Sequence, residues 1–240
     1  MNVQELKTQL ARQYPFRIEL HAHTSPVSLC SQVTPEEMTR VYKELGYNGV
    51  VITNHLQYRK DESKESYIKR YWKDIGDSEQ LGKAMGLKVY PGAEIRFTEN
   101  DNDYLIFGVD RQMLEEIYDL LPYGVEDFRK HYAMPRSVFI QAHPMRNGME
   151  PVDPALLDGI EVFNMHPNHN SRLGLAGAYA RENPHFIVTA GSDFHHPGVN
   201  HEGLAAIRTE ELPEDSFAIA KLLKNREYLL ELGRECAFVL

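Results

Sequence analysis

Residues 16–24 read FRIELHAHT. FRIELHA has the short, largely apolar make-up of a β-strand, and its exit carries His21 and His23. Residues two apart on a strand point to one side, so the two imidazoles can chelate one ion. The same arrangement recurs outward from this segment. GVVIT at 49–53 is nearly all apolar, as a strand buried on both faces should be, and His55 follows it. LKVYPGAE at 87–94 ends on Glu94, and YLIFGV at 104–109 has Asp103 just before its start. SVFIQAH at 137–143 ends on His143. GIEVFN at 159–164 leads to Asn164 and His166, and HFIVTAG at 185–191 leads to Asp193 and His195.

Helical patterns separate these runs. Thr34 reads as an N-cap and Pro35 as the first residue of a helix that Gly46 ends. Ser63 to Gly86 reads as a long helix with a break near Gly76, and shorter helices fall near 111–121, 125–132 and 170–182. LAAIRTE at 204–210 reads as an extra strand, and Pro213 opens a last helix to residue 224. Buried strands separated by helices predict a parallel sheet. About seven of them, with no Gly-rich dinucleotide fingerprint, favour a closed α/β barrel over an open sheet. Such a barrel gathers the C-terminal ends of its strands on one face, and that face holds the active site. His and carboxylate side chains delivered there suit Zn²⁺, Mn²⁺ or Fe²⁺. Glu94 has two oxygens and could bridge two ions. Roughly six to eight ligands exceed one tetrahedral centre, so two or three divalent ions are expected.

The chain has 240 residues, 42% of them hydrophobic and 25% charged, a size and make-up that fit one barrel domain over residues 1–240. Its 26 basic and 35 acidic residues give a formal charge of −9, which argues against nucleic acid or an anionic membrane as partner. Two cysteines, Cys30 and Cys236, are too few for a disulfide framework. With no secretory h-region and no membrane-spanning run, they point to a cytoplasmic protein.

ELHAHT, VITNH, PGAEI, QAHP and AGSDFHHP stand in the order and spacing of the polymerase and histidinol phosphatase (PHP) family, and the resemblance covers residues 17–197. It implies a distorted (β/α)₇ barrel with two or three metals at the C-terminal ends of the strands, and phosphoesterase activity. By this resemblance His21, His23, Glu94 and Asp193 would hold a first metal. Glu94 would bridge to a second, shared with His143 and a ligand before the fourth strand. Many members carry His there; this chain has Asp103, which would make the site harder and more anionic. His55 and His195 would hold the third metal. The remaining ligand of that site is expected at Ser28 or Leu29, so either Cys30 reaches in as a thiolate or the site binds more weakly. Where members often read TDH, this chain has Thr53, Asn54 and His55.

Each residue also has a plainer reading. His131, His185 and His201 read as surface or satisfied core histidines. His166 is balanced between a ligand and a structural role, and His169 and His196 lean to the structural. Cys30 reads as a small buried hydrophobe if it is not a ligand. Asp103 could cap the loop ENDND at 99–103, which lacks the full EF-hand calcium pattern. Tyr67, Tyr71 and Trp72 read as packing or lid residues. Arg96 and Arg146 lie just past Glu94 and His143, where either could clamp a substrate phosphate or be a solvated surface residue. The expected function is hydrolysis of a small phosphorylated metabolite by a hydroxide bridging two ions. Asp193 or a nearby histidine such as His195 would carry the leaving-group proton. The rivals are an exonuclease acting on nucleic-acid 3′ ends and a non-catalytic metal-binding or regulatory module.

Overall fold

The alternation of apolar runs and amphipathic segments builds a barrel in the computed structural model, which describes residues 2–198, 203–233 and, by their backbone, 237–239. His201 and Cys236 lie outside the described residues. The chain runs α1 (Val3–Gln13), β1 (Phe16–Ala22), α2 (Pro35–Glu44), β2 (Gly49–Ile52), β3 (His55–Gln57), α3 (Lys64–Met85) and β4 (Lys88–Arg96). There follow β5 (Asp103–Phe107), α4 (Arg111–Leu120), α5 (Val125–His131), β6 (Val138–Gln141), β7 (Gly159–Asn164), α6 (Leu173–Glu182) and β8 (Ile187–Gly191). The chain ends with β9 (Ala205–Thr209), α7 (Ser216–Asn225), β10 (Leu229–Leu232) and β11 (Ala237–Val239).

The wall is β1-β2-β4-β5-β6-β7-β8, a distorted (β/α)₇ barrel. It closes where Ala22 pairs with Phe194, and the His23 N–H donates to the Phe194 carbonyl at 3.0 Å. The other half of that edge of β1 pairs antiparallel with β9, which continues into β10 and β11. The wall is not wholly parallel: β5 runs antiparallel to both β4 and β6. The short turn through residues 97–102 leaves no room for the crossover helix that parallel pairing needs. Reversal puts the start of β5, not its end, on the face where the other strands finish. That is why Asp103 reaches the same place as Glu94.

Local chemistry sets the boundaries. Thr34 and Glu37 form a capping box at the start of α2, with Pro35 in its first turn. Ser63 caps α3, and Gly86 ends it in the left-handed conformation. α3 runs unbroken through Gly76, contrary to the break expected there. Its apolar stripe outweighs one glycine, because Tyr67, Ile68, Tyr71 and Ile75 are buried against the barrel. Trp72 packs half-buried beside them, so all three aromatic residues serve packing. α7 begins at Ser216 behind the Asp215 cap, rather than at Pro213. Among the described residues, no helix is long and apolar enough to cross a membrane.

Candidate metal centre

Three overlapping groups of donor atoms lie where the strands converge, the atoms of each group within 4.8 Å of one another: His21, His23 and Glu94; Glu94, Asp103 and His143; His23, His55 and His195. Asp193 joins them, its Oδ1 lying 3.5 Å from His21 Nε2 and 3.4 Å from His23 Nε2. The structure thus brings together all eight candidate ligands named above. Six of them, all but the fully buried His21 and His23, line a cavity of about 400 Å³ together with Cys30, Arg96, Arg146, His166, His169 and His196. Two of the eight turn in from strained backbone: His143 has φ 30° and Asp193 φ 53°.

Hydrogen bonds fix which nitrogen of several rings carries the proton. His21 Nδ1 lies 2.8 Å from Glu161 Oε1, so that nitrogen donates and Nε2 is turned inward. Ser28 Oγ accepts the His55 N–H at 3.0 Å and donates to Asn54 Oδ1 at 2.9 Å. Only an acceptor position is left on that hydroxyl, so His23 Nδ1, 3.1 Å away, must donate to it. His195 Nδ1 donates to the Asp193 carbonyl at 2.8 Å. With His21 raised and His23 pushed down, a proton on His21 Nε2 bridges the 3.0 Å to the lone pair of His23 Nε2; once that proton leaves, the two nitrogens face each other as lone pairs. Such lone pairs repel unless a proton or a metal cation lies between them. His55 Nδ1 stands 3.0 Å from Glu94 Oε2 without making a hydrogen bond, another pair of donors aimed at a shared point. The donor set fits a transition-metal centre.

His166 is the exception. Its Nδ1 accepts the Asn168 N–H at 3.2 Å, so the neutral ring carries its proton on Nε2.

The charges follow the geometry. Burial works against ionisation of Glu94, but His55 and His21 beside it hold its carboxyl well below the usual range. Burial likewise opposes the charge on His21, yet Glu161, Asp193 and Glu94 raise its pKa well above that of a free imidazole. Burial, reinforced by the neighbouring His195, pushes His23 far down. Arg96 grips both oxygens of Asp103, at 2.7 and 2.6 Å. Arg146 Nη2 donates to Asp193 Oδ2 and to Asn164 Oδ1, each at 2.7 Å.

Cys30 is exposed on the cavity wall, not the small buried hydrophobe of its plainer reading. Its loop follows the end of β1 and brings it to the cavity wall. Desolvation opposes its ionisation, but hydrogen bonds with His195 and His55 bring the thiol down to about 6. Ser28 is spent on His23 and Asn54, and Leu29 is exposed. Of the candidates near residue 28, Cys30 is the one at the His55–His195 pair.

Glu161, Asp74 and Glu19 escaped the sequence reading. Glu161 binds His21, and its Oε2 accepts the His143 N–H at 3.2 Å and Asn164 Nδ2 at 2.9 Å. Glu19 accepts the backbone N–H groups of His21 and Ser192 at 3.0 and 2.9 Å, which ties β1 to the turn that carries Asp193. Each had a signal: an acidic residue inside an apolar strand or on the buried stripe of a helix.

No family model matches the chain, and no curated protein does. Solved structures do. A two-domain protein from Bacteroides vulgatus containing a predicted PHP-like metal-dependent phosphoesterase superposes with a TM-score of 0.59 at 15% identity, over 91% of this chain and 65% of that one. PsfC from Pseudomonas syringae gives 0.56 at 17% identity, over 83% of this chain and 84% of that one. The lesion-specific endonuclease PfuEndoQ from Pyrococcus furiosus gives 0.60 at 14% identity, over 88% and 56%. The chain spans less than two thirds of the first and third of these proteins. At such identities the likeness is one of fold: this chain has the PHP-like barrel.

Proposed function

We propose that the chain is a PHP-family metal-dependent phosphoesterase that hydrolyses a small phosphate ester. The observation that carries this reading is the pair of imidazole nitrogens, His21 Nε2 and His23 Nε2, at 3.0 Å, ringed by the buried carboxylates Glu94 and Asp193. Two or three ions of zinc, manganese or iron, held by His21, His23, His55, Glu94, Asp103, His143, Asp193 and His195, would supply Lewis-acid charge and an activated water. Glu94 and His23 each belong to two of the donor groups, and Glu94, with two oxygens, is the shared carboxylate. Cys30 completes the group of His55 and His195. Arg146, which lines the cavity beside Asp193, meets the phosphate, with Arg96 also on the cavity wall. Asp193 and His195 carry the proton to the leaving alcohol. A cavity of about 400 Å³ suits a metabolite-sized ester.

The test is metal content by elemental mass spectrometry on untagged protein purified without chelator. It is followed by hydrolysis assays on a panel of phosphomonoesters and on a labelled oligonucleotide. Two or three equivalents and turnover of a small ester are expected, with both lost in His21→Ala and Asp193→Asn. One equivalent or none after reconstitution with all three metals overturns the assignment. Turnover of the oligonucleotide alone moves the substrate to nucleic acid.

A further inference from the structure

We infer that the centre has two chemically different ends: a zinc end at Cys30, His55 and His195, and an oxygen-rich end at Glu94, Asp103 and His143 that takes a harder, readily exchanged Mn²⁺. The inference rests on the reading of these residues as metal ligands and goes beyond it in giving each ion its place.

The donors are sorted by element. His23, His55 and His195 form one group of three imidazoles, and among the described residues no carboxylate belongs to it. His195 Nδ1 donates to the Asp193 carbonyl and His23 Nδ1 to Ser28, so both rings present Nε2. The rings pack on one another, the centroid of His23 lying 4.2 Å from that of His195 and 4.7 Å from that of His55. Cys30 stands on the cavity wall with hydrogen bonds to His195 and His55, which puts a sulfur beside these rings. The group of Glu94, Asp103 and His143 offers two carboxylates and a single imidazole instead. His143 Nε2 is 3.1 Å from Glu94 Oε1 and 4.0 Å from Asp103 Oδ2. Thiolate and imidazole select zinc, whereas carboxylate oxygen suits manganese. Zinc binds more tightly than manganese at a given site of this kind, so the ends differ in how large that advantage is.

Two further contacts loosen the oxygen-rich end. Arg96 donates to both oxygens of Asp103, at 2.7 and 2.6 Å, and takes a lone pair from each. Asp103 can ligate only through the lone pairs that remain, beside a fixed positive charge that repels a cation. His143 Nδ1 is buried with no hydrogen-bond partner among the described residues. An acceptor at that nitrogen would orient the ring and raise its basicity, as the Asp193 carbonyl does for His195 and Ser28 does for His23. The oxygen-rich end thus holds its ion through one unsupported imidazole and one carboxylate already engaged by a guanidinium, besides Glu94.

The experiment dialyses zinc-loaded protein against Mn²⁺ with increasing amounts of a zinc chelator and counts both metals by elemental mass spectrometry. Protein loaded with Co²⁺ is read in the near ultraviolet for a sulfur-to-cobalt charge-transfer band. Thermal unfolding of the metal-free proteins checks the fold. In wild type, zinc is expected to leave in two steps about tenfold or more apart in free zinc, with Mn²⁺ entering only at the first. The cobalt band is expected to be present. Cys30→Ser changes an exposed residue; it is expected to remove the band and merge the second step into the first, while Mn²⁺ still enters. Asp103→Asn keeps an oxygen for Arg96 but loses the charge; it is expected to lose the Mn²⁺ and to keep both the band and the tightly held zinc. A missing band in cobalt-loaded wild type overturns the inference. So does zinc that leaves wild type in one step, or a Cys30→Ser protein that exchanges its metals as wild type does. If Asp103→Asn does not fold, the wild-type exchange and the effect of Cys30→Ser decide. Wild-type protein that binds no metal overturns the reading of the site and the inference with it; ions that are bound but exchange in one step overturn the inference alone.

Discussion

Gly191 is the tightest backbone approach behind the centre, and its replacement by alanine tests that packing directly. A Cβ there would stand within 3.0 Å of both Glu161 Oε1 and His21 Cβ, and 3.3 Å from His21 Cγ, where ordinary contact begins at 3.4 Å. Neither neighbour can yield into space: His21 is fully buried and Glu161 is 1% exposed. They also hold each other at 2.8 Å, so displacing one drags the other. Overpacking of this kind costs about 1–3 kcal/mol. For a chain of this size that is roughly 2–12 °C in Tm of the metal-free protein. The displaced pair carries a candidate ligand, so Zn²⁺ affinity should fall with it, by about tenfold or more. Gly76→Ala is the matched control. Gly76 lies inside α3 with no atom within 4 Å of an added Cβ, and alanine there should raise stability by about 0.4–1 kcal/mol. Scanning calorimetry and chelator competition on both variants give the answer. Gly191→Ala with wild-type Tm and wild-type affinity would refute the close approach and the rigidity inferred from it.

The remaining predictions concern protons and ligands. Although burial opposes its charge, Glu94 and Cys30 lift His55 to about 9, and His21 is raised as well, so metal binding must displace protons from the free site. The Zn²⁺ dissociation constant should therefore fall by about a hundredfold between pH 6 and pH 8 for the His55 proton alone, and more with His21; a flat profile would show that neither ring is protonated in the metal-free site. His166→Ala should keep every metal equivalent while kcat/KM drops about 10–100-fold, with partial recovery in His166→Gln, which retains a donor; loss of one equivalent would make His166 a ligand after all. Glu161→Ala should weaken Zn²⁺ binding about 10–100-fold and Glu161→Gln less, because glutamine still accepts from His21 Nδ1; equal affinity in all three proteins would remove Glu161 from the orienting role. Burial lifts Glu19 to about 7, against which its hydrogen bonds from Ser192 work. The folded chain thus binds a proton that the unfolded chain has released, so Glu19 contributes a fall in metal-free stability as pH rises from 4.5 to 7; the difference in stability between wild type and Glu19→Gln should shift over that range and be constant above it in a urea titration series.

The clustering of the candidate ligands was legible because a barrel turns sequence order into a ring. A polar residue at the exit of an apolar run is a local signal, and six of the seven runs supplied it independently; the fourth carried Asp103 before its start instead. What was not legible depended on pairing or on faces. The reversal of β5 left no mark in YLIFGV, since a strand buried on both sides reads the same in either direction. β3, three residues long, is held by the register of His55 against Glu94 rather than by its own composition. Glu19 was within reach: it shares strand parity with His21 and His23, so it had to point to the same side. Asp74 was within reach too, on the stripe of Tyr67, Tyr71 and Ser78 that α3 buries. Glu161 was harder, because a register shift between Glu161 and Phe163 breaks the alternation of β7.

Charge explains why this set of side chains can lie buried together. Glu94, Asp103, Glu161 and Asp193 are each at most 3% exposed, and an uncompensated buried anion costs several kcal/mol. Three have a partner of their own: Arg96 takes Asp103, Arg146 takes Asp193 and His21 takes Glu161. Asp103 stands where the resemblance places a neutral imidazole, and the guanidinium of Arg96 cancels the charge that the exchange would add. The site is harder for it, but not more anionic. Arg96 and Asp103 face each other in the β4–β5 register, so the compensation is built into the antiparallel pairing itself. Glu94 alone is met only by imidazoles: His55 at 3.0 Å, His143 at 3.1 Å, and His21 and His23 at 3.4 Å. In the metal-free protein His21 and His55 answer it with protons, which a metal would displace. Each carboxylate thus has a partner of its own except the one that belongs to two donor groups, and that is the place where a divalent cation would gain the most.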